Sequence, residues 1–556
     1  MVLKEKYLTE ASIDMTENIP DLSTIIPPEA SNSVFFKSTL GKEHINRVLL
    51  FNPPTDRSQF IGTDNYFPLG LISLATVLRS NGDVVEVIDT NNAFFNKHLD
   101  NDILENHLHE VLLPYIKKFK PDLIGIGGTF SGAFKYTKFI GQIIKNKYPE
   151  IPIIVGGNHA STFKGLVIKR FQYIDYVLIG EGECTFPEFL ECIIHNDGVG
   201  IEKIDGLCYR KGGHRNNTYD PSTGNIYTPE DQIIVQEKLR YIDNLQELPH
   251  ANYDVIDVDS YYMDTSNWHN PHGIPIGQPF PIISSRSCPM RCTFCNMWHV
   301  HGPKIRDRTA MDVVDEIENL YNKYGARYFQ FMDDNFTWDE DRVINIMNEI
   351  VKRGLKIQFD TPNGIAINRL DPKVIKAMVD GGLTCISIAI ESGSEEIRKI
   401  MKKGLRQEEI YAMTHELAKY EHVLLKGFFI IGMPEETHET LEATRTVIKE
   451  LPLDKFSLNY ATPFPGTALF DQCKASNLLN YDVEDYVEID GHQLRSDRPH
   501  FAPYKLSEKD LMDFMDWGDS YLINYSNKKD PRGAGDINIP NAKNLENYWK
   551  ERIKTS

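Results

Sequence analysis

The chain alternates short apolar runs with amphipathic stretches between about residue 44 and residue 200. Five apolar runs predict strands: "INRVLLFNPP", "DVVEVIDTNN", "PDLIGIGGTFSG", "IPIIVGGNHAST" and "YIDYVLIGEGECTF". Stretches between them, such as "LGLISLATVLRSNG", have helical spacing and end at a turn residue. Unbroken apolar strands separated by helices predict a parallel sheet that is covered on both faces.

A second series of the same kind begins near Phe280. Its predicted strands are "PFPIISSRSC", "ARYFQFMDDNF", "IQFDTPNGIAIN", "CISIAIESGS", "KGFFIIGMPEE" and "KFSLNYATPFPGT". The helix "TAMDVVDEIENLYNKYG" places apolar residues on one face, among them Met311, Val314 and Ile317. This pattern predicts a (β/α) barrel, or part of one, with polar residues on its loop edge.

The pattern of apolar and polar residues divides the chain into five parts. Residues 1–43 are a polar extension, residues 44–200 form the first α/β domain, and residues 201–275 are a connector with a predicted hairpin. Residues 276–475 form the partial barrel. Residues 476–556 are a small, mainly helical C-terminal region, with a helix near "SEKDLMDFMDWGDSYLINY". The predicted fold class is therefore α/β, with two different βα units in one chain.

Composition narrows the function classes. A length of 556 residues predicts two or three domains, and 41% hydrophobic and 25% charged residues are ordinary for a soluble protein. A net charge of -19 argues against nucleic acid as a partner. No long apolar run predicts a membrane span, and the first residues lack the apolar core of a signal peptide. Eight cysteines, three of them clustered, favour a reducing cytoplasm over a secreted disulfide framework.

Four strands of the first unit end in loops of small or turn residues. These loops are Asn52-Pro53-Pro54, Gly127-Gly128-Thr129, Gly156-Gly157-Asn158 and Gly180-Glu181-Gly182. Ligands of open α/β sheets bind at the carboxyl ends of the strands, so this edge predicts a site for a nucleotide-sized ligand. The alternative is that glycine simply ends each strand.

The most informative chemistry lies in "SSRSCPMRCTFCNMWHVHGPKIRDRT", where Cys288, Cys292 and Cys295 are spaced Cys-x3-Cys-x2-Cys. A structural zinc site prefers four protein ligands, which His299 or His301 would have to complete. A disulfide with one free thiol is a further alternative. A cubane iron–sulfur cluster held by three cysteines leaves one iron open to a small molecule.

The cysteine trio, with Phe294 before its last member, resembles the radical S-adenosylmethionine (SAM) superfamily. The resemblance implies that the trio holds a [4Fe–4S] cluster whose fourth iron is chelated by SAM. It also implies that Asp333 and Asp334 in "FMDDNF" bind the SAM amino group, and that Glu391 in "IAIESGS" binds the SAM ribose or amino group. The alternatives are that the aspartates cap a turn and that Glu391 belongs to a buried salt bridge.

Other motifs resemble the branch of this superfamily that has an N-terminal cobalamin-binding domain: "TPFPGT", "VGGNHAST", "DYVLIGEGE", and "NPP" followed by "YFPLGL". The Asp-x-His-x-x-Gly motif is absent from the sequence, which implies that cobalamin binds without a protein histidine ligand. The residues that the resemblance assigns to cobalamin are Thr129, Phe130, Ser131, Gly156, Gly157, His159, Gly180, Glu181 and Gly182. The alternative is a sheet that binds no corrin.

The resemblance implies a methyltransferase that uses a 5′-deoxyadenosyl radical and methylcobalamin to methylate an unactivated carbon of a small molecule. It also implies an external electron donor of the flavodoxin or ferredoxin type. An anionic substrate such as a phosphonate would suit the side chains after the cluster loop, although ordinary ion pairs would explain them equally well. These side chains are Trp298, His299, His301, Lys304, Arg306 and Arg308.

Three other functions compete with carbon methylation. A cobalamin-dependent radical cyclase or oxidoreductase shares the same motifs. A methylthiotransferase needs three further N-terminal cysteines, and Cys184, Cys192 and Cys208 do not match that pattern. A non-enzymatic cobalamin sensor or carrier leaves the clustered cysteines unexplained.

Overall fold

The computed structural model describes most of the chain between residues 45 and 526. The described residues are 45–54, 65–94, 101–128, 131–195, 198–211, 232–261, 263, 265, 268–480, 487 and 498–526. The predicted extension, residues 1–43, lies outside them, as do residues 527–556.

Seven strands form the first sheet, in the order β2-β1-β3-β4-β5-β6-β7. They are β1 (Arg47–Asn52), β2 (Val84–Asp89), β3 (Leu123–Gly127), β4 (Ile153–Gly156), β5 (Tyr176–Leu178), β6 (Leu207–Arg210) and β7 (Ile233–Val235). The first five strands pair in parallel, which confirms the parallel sheet predicted from the apolar runs. The hairpin predicted in the connector is β6–β7, and it extends this same sheet by antiparallel pairing.

Eight helices flank this sheet among the described residues. They are α1 (Leu69–Ser80), α2 (Thr90–Ala93), α3 (Asn101–His107), α4 (Leu113–Phe119), α5 (Ser131–Lys147), α6 (Asn158–Phe163), α7 (Gly165–Arg170) and α8 (Thr185–Leu190). Strands β1, β3, β4, β5 and β6 are mostly buried, with β3 buried at all five positions, whereas the end strands β2 and β7 are only partly buried. Apolar side chains on both faces of the sheet therefore pack against helices, as the unbroken apolar runs require.

Six parallel strands form the second sheet, in the order β15-β14-β13-β12-β11-β8. They are β8 (Phe280–Ile282), β11 (Tyr328–Phe331), β12 (Gln358–Ile365), β13 (Leu383–Glu391), β14 (Leu424–Ile431) and β15 (Lys455–Tyr460). Since the two end strands do not pair with each other, the sheet is an open, partial barrel, as predicted. Two short strands, β9 (Ser285–Arg286) and β10 (Arg306–Asp307), form a separate antiparallel pair.

Among the described residues, nine α-helices follow β9 in the chain, and several of them pack on the second sheet. They are α9 (Met297–His301), α10 (Ala310–Lys323), α11 (Glu340–Lys352), α12 (Pro372–Asp380), α13 (Glu395–Ile400), α14 (Gln407–Ala418), α15 (His438–Glu450), α16 (Ala468–Ala475) and α17 (Glu508–Ser526). Helix α10 starts at Thr309, whose hydroxyl accepts from the N–H of Asp312, and it buries Val314 and Ile317 against the sheet. Met311 was predicted on the same face but is 50% exposed.

The connector closes the end of the partial barrel where the strands begin. The ring of Trp268 packs edge-on against Tyr328, with centroids 5.3 Å apart. The side chain of Gln358 donates to Asn270 at 2.9 Å, and a ring nitrogen of His269 lies 2.7 Å from the carbonyl oxygen of His422. The opposite end of the partial barrel, where the strands finish, carries the loops after β8, β11, β13 and β14. No helix in the described part of the chain has the length and apolar character needed to cross a membrane.

Candidate functional site

The clustered cysteines lie on a loop that the ladder of β9 and β10 closes at its base. Ser287 enters this loop with a φ of +74°, in the left-handed region that non-glycine residues avoid. Its N–H donates to Asp334 at 2.9 Å, and its hydroxyl donates to the carbonyl oxygen of Gly302. Surrounding groups therefore impose the conformation of the loop, because the residue would not adopt it alone.

Cys288, Cys292 and Cys295 are partly buried free thiols. Burial raises the pKa of each thiol, that of Cys295 to about 12. Metal coordination overcomes this effect, because a coordinating thiol loses its proton. Among the described residues, no three His, Cys, Asp or Glu side chains are grouped to hold a single metal ion. The thiols of a cubane each bind a different iron and need not meet at one point, so the trio fits a cluster better than one zinc ion.

The polar residues after β11 reach back to this loop. Asp333 is 2% exposed and accepts from the hydroxyls of Ser284 (3.0 Å) and Ser285 (2.6 Å). Burial raises the pKa of both Asp333 and Asp334. The side-chain amide of Asn335 donates to the sulfur of Cys288 at 3.6 Å. The aspartates predicted to bind SAM thus lie at the cysteine loop, and Asn335, which the prediction omitted, lies beside them.

Two buried acceptors at this point remain unpaired in the described part of the chain. They are Oδ2 of Asp333 and Oδ1 of Asn335. Leaving a buried acceptor unpaired costs about 1–3 kcal/mol, so these oxygens suit a ligand that brings N–H or O–H donors. The amino group of SAM is such a donor, and the site fits it.

Glu391, at the end of β13, is the other predicted SAM contact. Its φ is +70°, and its carboxylate forms a 2.9 Å ion pair with Lys403. Burial works against the charged form of Lys403, but Glu391 and then Cys292 act in the opposite direction, and the pKa of the ammonium is raised. Lys403 therefore places a positive charge near both the cysteine loop and Glu391. No local sequence signal points to Lys403, because one helix and a turn separate it from Glu391.

The loop after β14, "GMPEET", is held by a buried carboxyl. Oε2 of Glu436 accepts from the N–H groups of Gly432 (2.5 Å) and Met433 (3.2 Å). The side chain is fully buried, and burial raises its pKa to about 7. Gly432 adopts a φ of +90°, which a turn of this shape requires. Glu436 thus fixes the backbone of the loop after β14.

The loops at the edge of the first sheet are tied together by backbone groups. The N–H of Gly128 donates to the carbonyl of Gly156 at 2.6 Å, and the N–H of His159 donates to Gly128 at 3.0 Å. A Cβ on Gly128 would come within 3.1 Å of the Gly156 oxygen, and Gly157 has a φ of +108°. Glycine therefore allows the loops after β3 and β4 to pack closely, and the half-buried Gly156 and Gly157 place no side chain in the way of a macrocycle at this edge. Thr129 and Phe130 lie outside the described residues, and Ser131 is described only as the first residue of α5.

The structure corrects the prediction for His159. Its ring is 2% exposed and lies between Phe134, at 4.0 Å between centroids, and Phe163, at 4.5 Å. Burial lowers the pKa of the imidazole to about 3, so the ring is neutral at physiological pH. The ring therefore belongs to the aromatic core behind the Gly-Gly turn, where its stacking on Phe134 stabilises the packing.

Glu181 also has a different role from the predicted cofactor contact. Its two carboxylate oxygens accept from Arg306 at 2.8 and 2.7 Å, and Arg286 lies 3.5 Å away. Neighbouring Glu183 accepts from Arg286 at 2.5 Å. Burial raises the pKa of the Glu181 carboxyl, but hydrogen bonds from His301 and Arg306 outweigh it, and the pKa falls far below its ordinary value. These ion pairs join the loop after β5 to the two strands that carry the cysteine loop.

A second contact joins the same two regions. Helix α9, which directly follows the cysteines, packs on α6, which follows the Gly-Gly turn. The side-chain amide of Asn296 donates to the hydroxyl of Thr162 at 2.7 Å. A Cβ on Gly180 would come within 2.9 Å of the carbonyl oxygen of Val300. The candidate cluster site and the candidate cobalamin edge are therefore adjacent and in direct contact.

The residues predicted to hold an anionic substrate are occupied otherwise. Besides Arg306, Arg308 is paired with Asp312 and Glu316, both at 2.5 Å. The remaining four have these contacts: His301 with Glu181 at 3.5 Å, Lys304 with Asp243 at 3.8 Å, His299 with the carbonyl of Gly466 at 2.7 Å, and Trp298 with Arg291 at 4.9 Å. Arg306 and Arg308 are therefore engaged in ion pairs, as the alternative stated in the sequence analysis expects, and these ion pairs are buried.

Comparison with protein families assigns both halves of this site. The family model described as "Radical SAM superfamily" matches residues 282–448. The model described as "B12 binding domain" matches residues 63–190. The cysteine loop lies in the first match, and the glycine loops after β3, β4 and β5 lie in the second.

Individual relatives match most of the chain. An uncharacterized methyltransferase of Pyrococcus horikoshii is 32% identical over 451 residues, covering 80% of this chain and 87% of the relative. The cytidylyl-2-hydroxyethylphosphonate methyltransferase of Streptomyces wedmorensis is 29% identical over 457 residues, covering 78% and 83%. The solved structure of the radical S-adenosylmethionine methyltransferase TsrM from Kitasatospora setae has the same fold, with a TM-score of 0.57 at 20% identity, covering 78% of this chain and 75% of that one.

Proposed function

Since this chain belongs to the family of cobalamin-dependent radical SAM enzymes, we propose that it methylates an unactivated carbon of a small anionic molecule. When bound, the [4Fe–4S] cluster with SAM supplies the means to remove a hydrogen atom from carbon, and cobalamin supplies the methyl group. The observation that supports methyl transfer most is the direct packing of α9 on α6, because one substrate carbon must reach both cofactors.

The protein's own contribution is to hold and orient these groups. In this proposal Cys288, Cys292 and Cys295 bind the cluster. Asp333, Asp334 and Glu391 bind the polar end of SAM. The glycine loops after β3 and β4 carry the corrin. No general base is required among these residues, since the buried carboxyls act by position and charge.

The lumen of the partial barrel supports an anionic substrate. Residues of β14 alternate between buried and partly exposed, so Lys426 and Phe428 face away from the buried Leu425 and Phe429, which belong to the core under the helices. Lys426 forms no ion pair within the described residues, and its ammonium lies 5.0 Å from the ring centre of Phe428. A lumen cation that is not held in an ion pair is suited to a phosphonate or carboxylate group of a substrate.

Across β13 from Lys426, Asp360 offers a complementary group. One of its oxygens accepts from Gln330 at 3.3 Å, and the hydroxyl of Tyr328 also interacts with the buried carboxyl. Burial raises the pKa of Asp360 to about 7, so the carboxyl is partly protonated near neutral pH. Lys426 and Asp360 would together bind a substrate that has both an anionic group and a hydroxyl.

The proposal is tested by anaerobic reconstitution with iron, sulfide and hydroxocobalamin, followed by assay with SAM that carries a deuterated methyl group. The substrates are cytidylyl-2-hydroxyethylphosphonate and a panel of small phosphonates and carboxylates, and the products are measured by mass spectrometry. We expect one labelled methyl group on a substrate carbon. A cyclised or dehydrogenated product without label would overturn methyl transfer.

Substitution of Lys426 tests whether the substrate is anionic. Lys426→Ala is expected to raise KM for the anionic substrate at least tenfold, while Lys376→Ala on the exposed surface of α12 leaves KM unchanged. An unchanged KM in Lys426→Ala would contradict the anionic substrate. We also propose a reducing cytoplasm as the compartment, since the eight cysteines are free thiols and three of them are assigned to the cluster.

A further inference from the structure

The turn between the first two clustered cysteines faces solvent. Arg291 is exposed, and Pro289 and Met290 are half-buried. The segment is only three residues long and lies between two residues assigned to the cluster. A redox partner bound to this turn would be separated from the cluster by one thickness of polypeptide.

A second exposed segment lies against this turn. Lys402 and Gly404 are exposed, and Met290 Cε lies 3.9 Å from the position that a Cβ on Gly404 would occupy. The N–H of Thr293 donates to the carbonyl of Met401 at 3.0 Å, which fixes the two segments relative to each other. Residues 289–291 and 402–404 therefore form one continuous surface, which we name the cluster-side surface.

This surface is basic on a strongly acidic protein. Arg291 and Lys402 form no ion pair within the described residues, whereas the whole chain has a net charge of -19. The guanidinium of Arg291 is 4.9 Å from the ring centre of Trp298, which orients it. Helix α16 begins beside the turn, because Leu469 N–H donates to Thr293 at 2.9 Å, and its exposed Asp471 and Lys474 cancel in charge. The net contribution of the surface is thus positive.

We propose that the cluster-side surface is the docking site of an acidic one-electron donor, a flavoprotein of the flavodoxin type. The inference rests on the proposed function, since only a reducible cluster needs such a partner. The anionic flavin hydroquinone of the donor gives one electron to the oxidised cluster and becomes the neutral semiquinone, so no proton is transferred. Charge complementarity directs the donor to this surface, since most of the remaining acidic protein repels it.

The composition of the surface fits a short-lived complex. Pro289 and Met290 supply a small apolar centre, and Arg291 and Lys402 supply a basic rim. Small interfaces with charged rims are typical of electron-transfer partners, and rim charges act mainly on the association rate. The association rate should therefore fall steeply as ionic strength rises, because salt screens exposed charges.

The test combines Arg291→Glu with Lys402→Asn in the reconstituted enzyme. Asparagine removes the charge and tolerates the φ of +56° at position 402. Flavodoxin affinity is measured by biolayer interferometry at low salt, and cluster reduction by stopped-flow absorbance with flavodoxin hydroquinone. We expect Kd to rise and the reduction rate to fall by about tenfold or more. Reduction by dithionite and by reduced methyl viologen, which have opposite charges, is expected to change less than twofold.

A matched control places the same change of charge on a remote helix. Lys117→Glu with Lys118→Asn alters two exposed lysines of α4, on the first domain, and should leave flavodoxin affinity unchanged. If the double variant does not load its cluster, Lys402→Asn alone carries the test, with a smaller loss of affinity and the same salt dependence.

Unchanged flavodoxin binding and cluster reduction in the variant would overturn the docking site. Equal losses with flavodoxin and with both small reductants would also overturn it, because they would place the defect in the cluster. Failure of the proposed function looks different: flavodoxin would bind and reduce the cluster in the wild-type protein, and no substrate would gain a methyl group.

Discussion

The two sides of the candidate site are built from different kinds of groups. On the cysteine side, charged and polar side chains dominate: Asp333 and Glu391 are buried, and Asp334 and Lys403 are half-buried. On the first sheet, the loops after β3 and β4 consist of buried and half-buried glycine backbone, and the ring of His159 lies in the core. Side chains with fixed charges suit the small, charged amino-acid end of SAM, whereas a glycine edge suits a large, flat macrocycle.

The contact between the two sides is ionic and buried. Glu181 and Glu183 belong to the first domain, and Arg286 and Arg306 flank the cysteine loop in the second. A buried ion pair is costly to break because one charge is left without a partner. We therefore predict that substitutions on one side impair the binding of one cofactor only. Substitution of Glu181, which joins the two sides, should affect both.

The largest expected effect is loss of the cluster alone. Cys292→Ala removes one iron ligand, so we expect almost no bound iron after reconstitution and SAM cleavage at background level. Cobalamin affinity should remain within about twofold of wild type, because the glycine edge does not use this residue. Iron analysis and corrin titration by absorbance check both statements. Cys184→Ala, outside the trio, is the control and should keep its iron. A cluster that survives in Cys292→Ala would contradict the assignment.

Breaking the contact between the two sides comes next. Glu181→Gln leaves Arg306 and Arg286 short of a negative charge in a buried site, so we expect a loss of about 3 kcal/mol in the free energy of unfolding. Urea denaturation measures the change. Glu188→Gln, which removes an exposed pair with Arg240, should cost less than about 1 kcal/mol.

The role of Glu181 can also be tested by measuring the free energy of unfolding at acidic pH. Because its pKa is lowered on folding, its contribution is complete above the ordinary carboxyl pKa of about 4.3 and is lost as pH falls toward the folded-state pKa. Wild-type protein should therefore lose more stability than Glu181→Gln as pH falls below about 4.3. Parallel curves for the two proteins would contradict the ion network.

Glu436 should show the opposite pH dependence. Burial raises its pKa from 4.5 to about 7, which corresponds to about 3 kcal/mol at about 1.36 kcal/mol per pH unit. The folded protein holds this proton more tightly, so wild-type stability should fall as pH rises from about 4.5 to about 7. In Glu436→Gln this fall should be absent. Denaturation at several pH values measures it, and an identical slope in the variant would contradict the buried neutral carboxyl.

The smallest expected effects come from substitutions in the glycine edge, which is formed by the loops after β3 and β4. His159→Phe keeps a stacked ring but loses the hydrogen bond between the imidazole and the backbone of Val487, so we expect a stability loss of about 1 kcal/mol and cobalamin affinity within about twofold. Gly157→Ala forces a side chain into a φ of +108° and should cost about 1–3 kcal/mol and weaken cobalamin binding. Thermal unfolding and corrin titration separate the two variants. A large loss of cobalamin affinity in His159→Phe would restore that residue to the site.

Part of the site was readable from local spacing. Cys288, Cys292 and Cys295 are close in sequence, and the two aspartates follow a strand directly, so no tertiary information was needed to predict that they share one loop edge. Asn335 had the same signal, being the next residue in "FMDDNF", and sequence reasoning omitted it. Lys403 had none, because its pairing with Glu391 spans a helix and a turn.

The sequence by itself determined the two parallel sheets, their loop edges and the cysteine trio, because apolar periodicity and short-range spacing are local properties. Only the tertiary structure decided the partners of the charged residues. The sequence predicted that Arg306 binds a substrate and that Glu181 binds a cofactor. In the structure these two residues bind each other. These residues are 125 positions apart in sequence, and nothing local records which opposite charge will neutralise a buried one.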